Sequence, residues 1–281
     1  MFEWKGSISG IGTKGYDASM ILLLFGMALL LVLIERIWPG NELPSSKAWW
    51  LRIVVINTVQ VGILILAGHT WDRWFQKASL FHLGESLSLF WGAVICYIIS
   101  TLLYYWWHRV RHESNLFWRL CHQLHHSPQR IEILTSFYKH PVEITINSLI
   151  SAILTYAVLG LTVEAAALYT FFTAVAEFFY HWNIRTPRWL GPIFQRPESH
   201  RVHHMHRHHT QNYADLPIWD LLFGTYNNPK SSPQKCGFDS QKENRLGAML
   251  AFRDVHGLSP ICFGCHKRWA CYSQKEECFK S

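Results

Sequence analysis

The sequence predicts an all-α integral membrane helical bundle, three spans plus a helical hairpin, with a cytosolic histidine-rich cap of metal-binding helices. Three observations predict it. Uncharged apolar runs of membrane length recur through the first two thirds of the chain. Aromatic residues reach 15% with 14 Trp, against only 16% charged residues, and of the 17 histidines His108 and His181 follow directly on apolar runs. A bilayer core takes about 20 apolar residues per helix, and aromatic side chains gather at its interfaces.

Residues 1–17 are Gly-rich with mixed charge and lack the basic start and A-x-A-like end of a cleaved signal peptide. Ala18–Ile34 is uncharged and is closed by Glu35, Arg36 and Trp38, which makes a first span. Ile53–Gly68 makes a second. Its Asn57 and Gln60 should face other helices, because amides are costly against acyl chains. The third run, Ser86–Trp107, carries no charge and delivers the chain into His108.

Pro128 and the Lys139-His140-Pro141 turn then precede the uncharged run Ile144–Val163. Glu164 interrupts, and Ala165–Tyr180, which contains Glu177, ends at His181. These two runs read as a hairpin, down and back. An odd number of crossings would leave the histidines before and after them on opposite membrane faces. Arg109, Arg111, Arg119, Arg130 and Lys139 on one side, and Arg185, Arg188, Arg196, Arg201 and Arg207 on the other, place that face in the cytoplasm by the positive-inside rule. The host membrane is a bacterial inner membrane or the endoplasmic reticulum.

No Pro, Ser or Gly-rich linker divides the chain. We expect an N-terminal region with two transmembrane helices at 1–85, a central domain at 86–229 and a cytosolic tail at 230–281. The formal charge of +7 lies beside apolar runs, which suits anionic lipid headgroups and not nucleic acid. Seven cysteines, an odd number with Cys121 inside the histidine-rich stretch, argue against a secreted disulfide scaffold. The tail holds one C-x-x-C, Cys262 and Cys265, without a matching second pair.

The chemistry is concentrated in HRVRHESNLFWRLCHQLHH, His108 to His126, and in HRVHH, His200 to His204. Residues four apart share a helix face, so His108 and His112 stack one turn apart, as do His122 and the His125-His126 pair. That aims imidazoles at one point. Clustered imidazole suits zinc, copper, iron or nickel rather than magnesium or calcium. Eight histidines in three boxes exceed the four ligands of a tetrahedral ion, so two metals are implied. None of the boxes has the H-E-x-x-H form of a zinc hydrolase. Soluble di-iron bundles rely mainly on Glu with Glu-x-x-His, whereas these candidate ligands are nearly all neutral nitrogen. A metal transporter is the alternative class, but its ligands would sit midway through the spans and these follow them.

The chain presents, in order, H-x-x-x-H, H-x-x-H-H with Ser127, His140-Pro141, H-x-N at His181 and Asn183, H-x-x-H-H, Asn212-Tyr213, and W-D-L-L-F-G-T from Trp219 to Thr225. This series resembles the fatty acid hydroxylase superfamily, or sterol desaturase family, over residues 86–229. The resemblance implies a membrane-bound, O2-dependent oxidoreductase that hydroxylates or desaturates a lipid such as a fatty acyl chain, sterol or alkylglycerol. It implies two non-haem Fe ions, for which Zn can stand in after purification. Electrons would come from a separate chain of ferredoxin or cytochrome b5 type with an NAD(P)H reductase.

Carried onto this sequence, the metal ligands and catalytic residues would be His108, His112, His122, His125, His126, His181, His200, His203 and His204, with His140 as a further ligand or a supporting residue. The N-Y-G of many members reads Asn212-Tyr213-Ala214 here. Glu143, Glu177, Asp215 and Asp220 could orient imidazoles, Glu177 foremost because it lies one turn before His181. His206, His208 and His209 crowd the last box, and His208 reads as solvated. His69, His82, His256 and His266 have no partner spacing and take no chemical role.

Overall fold

A computed structural model describes residues 16–256. The N-terminal stretch before it and the tail with Cys262, Cys265, Cys271, Cys278 and His266 lie outside the described residues. Among those described, the chain is helical, and one isolated antiparallel bridge joins Met205 to Cys236.

Five long helices form the bundle: α1 Tyr16–Ile37, α2 Trp49–His69, α3 Leu89–Glu113, α4 Pro141–Ala152 and α5 Val163–His181. Three segments are long and apolar enough to cross a membrane: Trp49–Phe75, which carries α2 into a short further helix, Leu89–Glu113, and Pro141–Val158. Their outward faces are apolar, as with Val54, Leu66, Phe90 and Ile98, and the surface of α1 continues the band through Leu22, Phe25 and Leu29. In lipid such a surface needs no cover, and the helices are held by packing and interhelical hydrogen bonds.

Each expected span falls on a helix, with informative shifts at the ends. The run Ser86–Trp107 becomes α3, which starts after Ser88 and continues to Glu113, so His108 and His112 ride on the span's own last turns. The first leg of the hairpin stops at Val158 rather than Val163. Here α4 passes into a π-helical turn, Ile153–Val158, and the chain reverses at Gly160 with φ 65. The preceding loop closes this end, as the backbone N–H groups of Leu80, Phe81, Leu83 and Gly84 donate to the carbonyls of Ala157, Val158, Leu159 and Gly160 at 2.8–3.0 Å. Those carbonyls have no intrahelical partner at a helix end, and in a membrane nothing else would satisfy them. A side chain on Gly160 would overlap the Ser79 hydroxyl.

Small residues let α3 approach α5. Gly92, Ala93 and Cys96 meet Leu161, Ala165 and Tyr169 in one buried cluster. A second cluster, with Trp49, Ile53, Trp118, Tyr138 and Phe238, underlies the histidine end. Asn57 turns inward as expected, its Nδ2 donating to the Leu134 carbonyl at 3.4 Å.

Glu35 ties α1 to both halves of the cap. Its Oε2 accepts from the backbone of Ile133 and of Asn183, each at 3.2 Å, and neighbouring Arg36 pairs with buried Glu132. Because α4 leads away from the cap and α5 returns to it, the histidines on either side of the hairpin meet.

Candidate metal centre

Four pieces of chain bring the histidines together. The last turns of α3 carry His108 and His112, and α5 ends at His181. Between them, Ser114 caps a short turn by accepting from Phe117 N–H at 3.4 Å, and a π turn, Trp118–His122, leads into Gln123–His125. Single π turns are frequent at functional sites, where the extra residue re-aims the side chains that follow. The fourth piece is α6, Pro197–His203, which opens with Pro at its first position and Glu198 in its first turn, both suited to a helix N-terminus.

The nine imidazoles fall into two groups. His108, His112, His122, His126 and His203 form one, and His125, His181, His200 and His204 the other. Within each group one ligand-capable atom per residue lies within 4.8 Å of all the others. Each H-x-x-H-H box is therefore split. His122 and His126, one turn apart, join the first group while His125 goes to the second, and His200 and His204 join the second while His203 goes to the first. Neighbouring residues on a helix point about 100° apart, so an adjacent histidine pair diverges. The expectation that a box aims at one point holds for its i,i+4 pair and fails for its third member.

The spacing fits ions. Nε2 atoms are separated by 3.0 Å for His112 and His122, 3.1 Å for His122 and His126, and 3.2 Å for His126 and His203. In the second group His181 to His200 is 3.2 Å and His200 to His204 is 3.1 Å. Two nitrogens about 2.1 Å from one ion, at tetrahedral or octahedral angles, lie about 3.0–3.4 Å apart. Without an ion these Nε2 atoms would be facing lone pairs or buried protons, and the Nε2 of His108 has no other partner.

The outer ring nitrogens explain how the lone pairs are kept inward. Nδ1 of His108, His181 and His203 meets the carbonyls of Tyr213, Glu177 and Gln211 at 2.7, 2.9 and 2.7 Å, and Nδ1 of His125 meets that of Tyr138 at 3.4 Å. A carbonyl only accepts, so Nδ1 carries the proton and Nε2 is left bare. Burial holds His122, His125, His126, His200 and His204 well below the ordinary histidine pKa, and His203 at about 3. All are neutral near pH 7, as ligation requires.

The supporting carboxylates differ from expectation. Glu177 reaches His181 only through its backbone carbonyl, and its side chain pairs with Lys139 and accepts from Tyr180 Oη at 3.2 Å. Glu143 is the carboxylate beside an imidazole: it pairs with buried Arg111 and meets His122 Nδ1 at 3.2 Å through either oxygen. Asp220 works one step removed. It accepts from the backbone of Tyr213 and Ala214 at 2.8 and 2.9 Å, fixing the loop whose Tyr213 carbonyl orients His108.

His140 stands in neither group. Its Nδ1 accepts from Val142 N–H at 3.1 Å and so caps α4, and its Nε2 points to the Leu250 carbonyl, 3.4 Å away. His209, left open by the sequence, is buried with its Nδ1 3.0 Å from Nδ1 of His126, so it orients a candidate ligand. The density of histidine after the last box was the only sign of it. His208 engages Thr210 and Gln211, and His206 the Gly237 carbonyl and Asp239. Buried Cys121 donates to the Phe117 carbonyl at 3.1 Å and takes no part in either group.

A cavity of about 400 Å³ opens beside both groups, touching His108 and His122 of the first and His125, His181 and His200 of the second. Its other walls come from α2, α4 and α5, including Leu64, Ile144, Ala152, Ala166 and Ala174. This volume is within the range of small-molecule sites.

Membrane-length helices that end in two buried imidazole clusters define a membrane protein built to hold metal. Residues 93–225, just under half of the chain, match the fatty acid hydroxylase family, and this match together with the relatives below supports the fatty acid hydroxylase superfamily. It is 27% identical over 186 residues to the alkylglycerol monooxygenase of Homo sapiens, covering 61% of this chain and 40% of that protein. Against the Danio rerio alkylglycerol monooxygenase it is 33% identical over 131 residues, covering 44% and 28%. Against the ornithine lipid hydroxylase OlsE of Rhizobium tropici it is 31% identical over 141 residues, covering 48% and 42%. The chain thus spans less than half the length of these relatives. No solved structure matches it.

Proposed function

We propose that this protein is a membrane-bound, O2-dependent di-iron enzyme that hydroxylates a C–H bond of a lipid. One observation carries the reading: nine imidazoles gather in two groups, and members of both groups border a cavity that extends between membrane-length helices. Hydroxylation is favoured over desaturation because the relatives are named monooxygenase and hydroxylase, and alkylglycerols and ornithine lipids are the substrate classes those names suggest. Metal transport is disfavoured, since the candidate ligands gather at helix ends instead of lining a path between the two membrane faces.

Bound iron would supply activation of O2, with two electrons from a ferredoxin or cytochrome b5 type of donor. Five imidazoles (His108, His112, His122, His126 and His203) would hold one ion and four (His125, His181, His200 and His204) the other. Glu143, His209 and the carbonyls of Tyr213, Glu177, Gln211 and Tyr138 orient six of the rings: His122, His126, His108, His181, His203 and His125. The buried walls exclude bulk water from the reacting carbon, and the helices align the lipid with the ligands. We further propose that the metal-binding face is cytoplasmic, that the chain crosses the membrane several times, and that residues 86–229 form the catalytic domain.

The test is conversion of a 1-O-alkylglycerol in the presence of O2, iron and an electron-donor chain. The wild-type protein should form an oxidised lipid, and His125→Ala should abolish conversion while the protein still inserts in the membrane. Full turnover by His125→Ala would refute the reading.

A further inference from the structure

The walls of the cavity carry more polar side chains than an alkyl chain calls for, but most are already engaged. Arg111 is paired with Glu143, and Lys139 with Glu177. Trp107 Nε1 donates to Asn147 Oδ1 at 2.8 Å and Trp71 Nε1 to Ser148 Oγ at 3.1 Å. The hydroxyls of Thr170 and Thr173 donate to carbonyls of their own helix at 2.9 and 2.8 Å.

Among the amides and hydroxyls of the wall, Gln60 is the exception. It lines the cavity from α2, is 5% exposed, and its buried Oε1 has no hydrogen-bond partner. Buried amides are nearly always satisfied, and within a membrane segment bulk water does not compensate. Its level in the bundle is set by its neighbours. Asn57, about one turn earlier, donates to Leu134, and the same stretch of chain continues to Tyr138, whose carbonyl meets His125. Gln60 is therefore at the histidine end. Asp72, also on the cavity wall, lies twelve residues further on, beyond the end of α2 at His69.

We propose that Gln60 is a specificity-determining residue that hydrogen-bonds a hydroxyl on the head of the lipid substrate. The carbons next to the head then lie beside His125, His181 and His200, and the alkyl chain runs on between α4 and α5. A hydroxyl both donates and accepts, so it satisfies a carboxamide in either orientation. An ether or a carboxylate has no donor for Oε1. Gln60 precedes the residues matched to the family, so this contact belongs to the part of the chain that the match leaves out. The inference rests on the proposed lipid hydroxylation at this cavity.

The experiment uses the full chain, iron-loaded in nanodiscs, with two probes: 1-O-hexadecylglycerol and the same lipid with both hydroxyls methylated. Equilibrium dialysis should show that wild type binds the hydroxylated lipid at least about tenfold more tightly. Gln60→Leu should lose that preference while binding the methylated lipid as well as wild type does. Gln60→Asn tests the chemistry at a shorter reach and should recover part of it. Metal content and thermal unfolding verify that each variant is folded. A preference that survives intact in folded Gln60→Leu, or is absent from wild type, overturns the proposal. If wild type hydroxylates both probes equally, the Gln60 assignment fails and the hydroxylase reading stands. If it discriminates in binding yet oxidises neither with donor and O2 present, the hydroxylase reading fails and the Gln60 assignment stands.

Discussion

His126 and His204 stack face to face, with ring centroids 4.1 Å apart and planes 15° from parallel, although one belongs to each histidine group. The two groups are thus neighbours that share a wall of imidazole. His125→Ala removes a member of the four-histidine group, and His126→Ala a member of the five. Each should lower bound metal from about two toward about one per chain, and the double variant should lower it further. Elemental analysis of protein purified with iron checks this. Equal metal in wild type and both variants would contradict it.

Glu143→Gln removes the charge that faces both Arg111 and His122, and leaves Arg111 buried without a counter-ion. Metal affinity should fall about 10–100-fold, and stability by about 3 kcal/mol or more. Glu177→Gln, whose side chain touches no imidazole, should cost less affinity. Chelator competition measures both. A larger loss from Glu177→Gln would reverse the assignment.

His140→Ala should leave metal content unchanged, because the side chain caps α4 and belongs to neither group. The lost cap should cost about 1 kcal/mol in thermal or denaturant unfolding. Loss of an ion would return His140 to the ligand set.

Acid should unfold the metal-free protein. His203 titrates near 3 when folded and near the ordinary 6.5 when unfolded, because burial penalises the charged ring. Between those values the unfolded chain binds a proton that the folded chain does not, so stability is intact above about pH 6.5 and falls as pH drops toward 3. The slope is at most about 1.4 kcal/mol per pH unit for each such histidine, and five further candidate ligands outside the spans are shifted the same way. Unfolding followed at pH 7.5 and 5.5 should show the drop, and added zinc should reduce it. Equal stability at the two values would contradict the burial.

Much of this was legible in the sequence. Apolar runs of membrane length located the long helices, and the histidines on either side of the hairpin required it to bring the chain back to where it started. Their sharing between two groups was hidden, because a box motif fixes spacing along the chain and says nothing of the π turn at Trp118–His122 or the neighbouring helix that completes each group. Helical spacing favoured Glu177 over Glu143 as the partner of an imidazole. The packing of α4 beside His122 reversed that order, since Lys139 claims Glu177. His140 was left between ligand and supporting residue because a histidine before a proline serves equally as a helix cap and as a ligand, and its position at the start of α4 shows the cap.

The most direct test is anomalous scattering at the iron edge from crystals of iron-loaded protein. Two peaks are predicted, one enclosed by His108, His112, His122, His126 and His203, the other by His125, His181, His200 and His204. A single peak, or peaks away from these rings, would contradict the two-centre account.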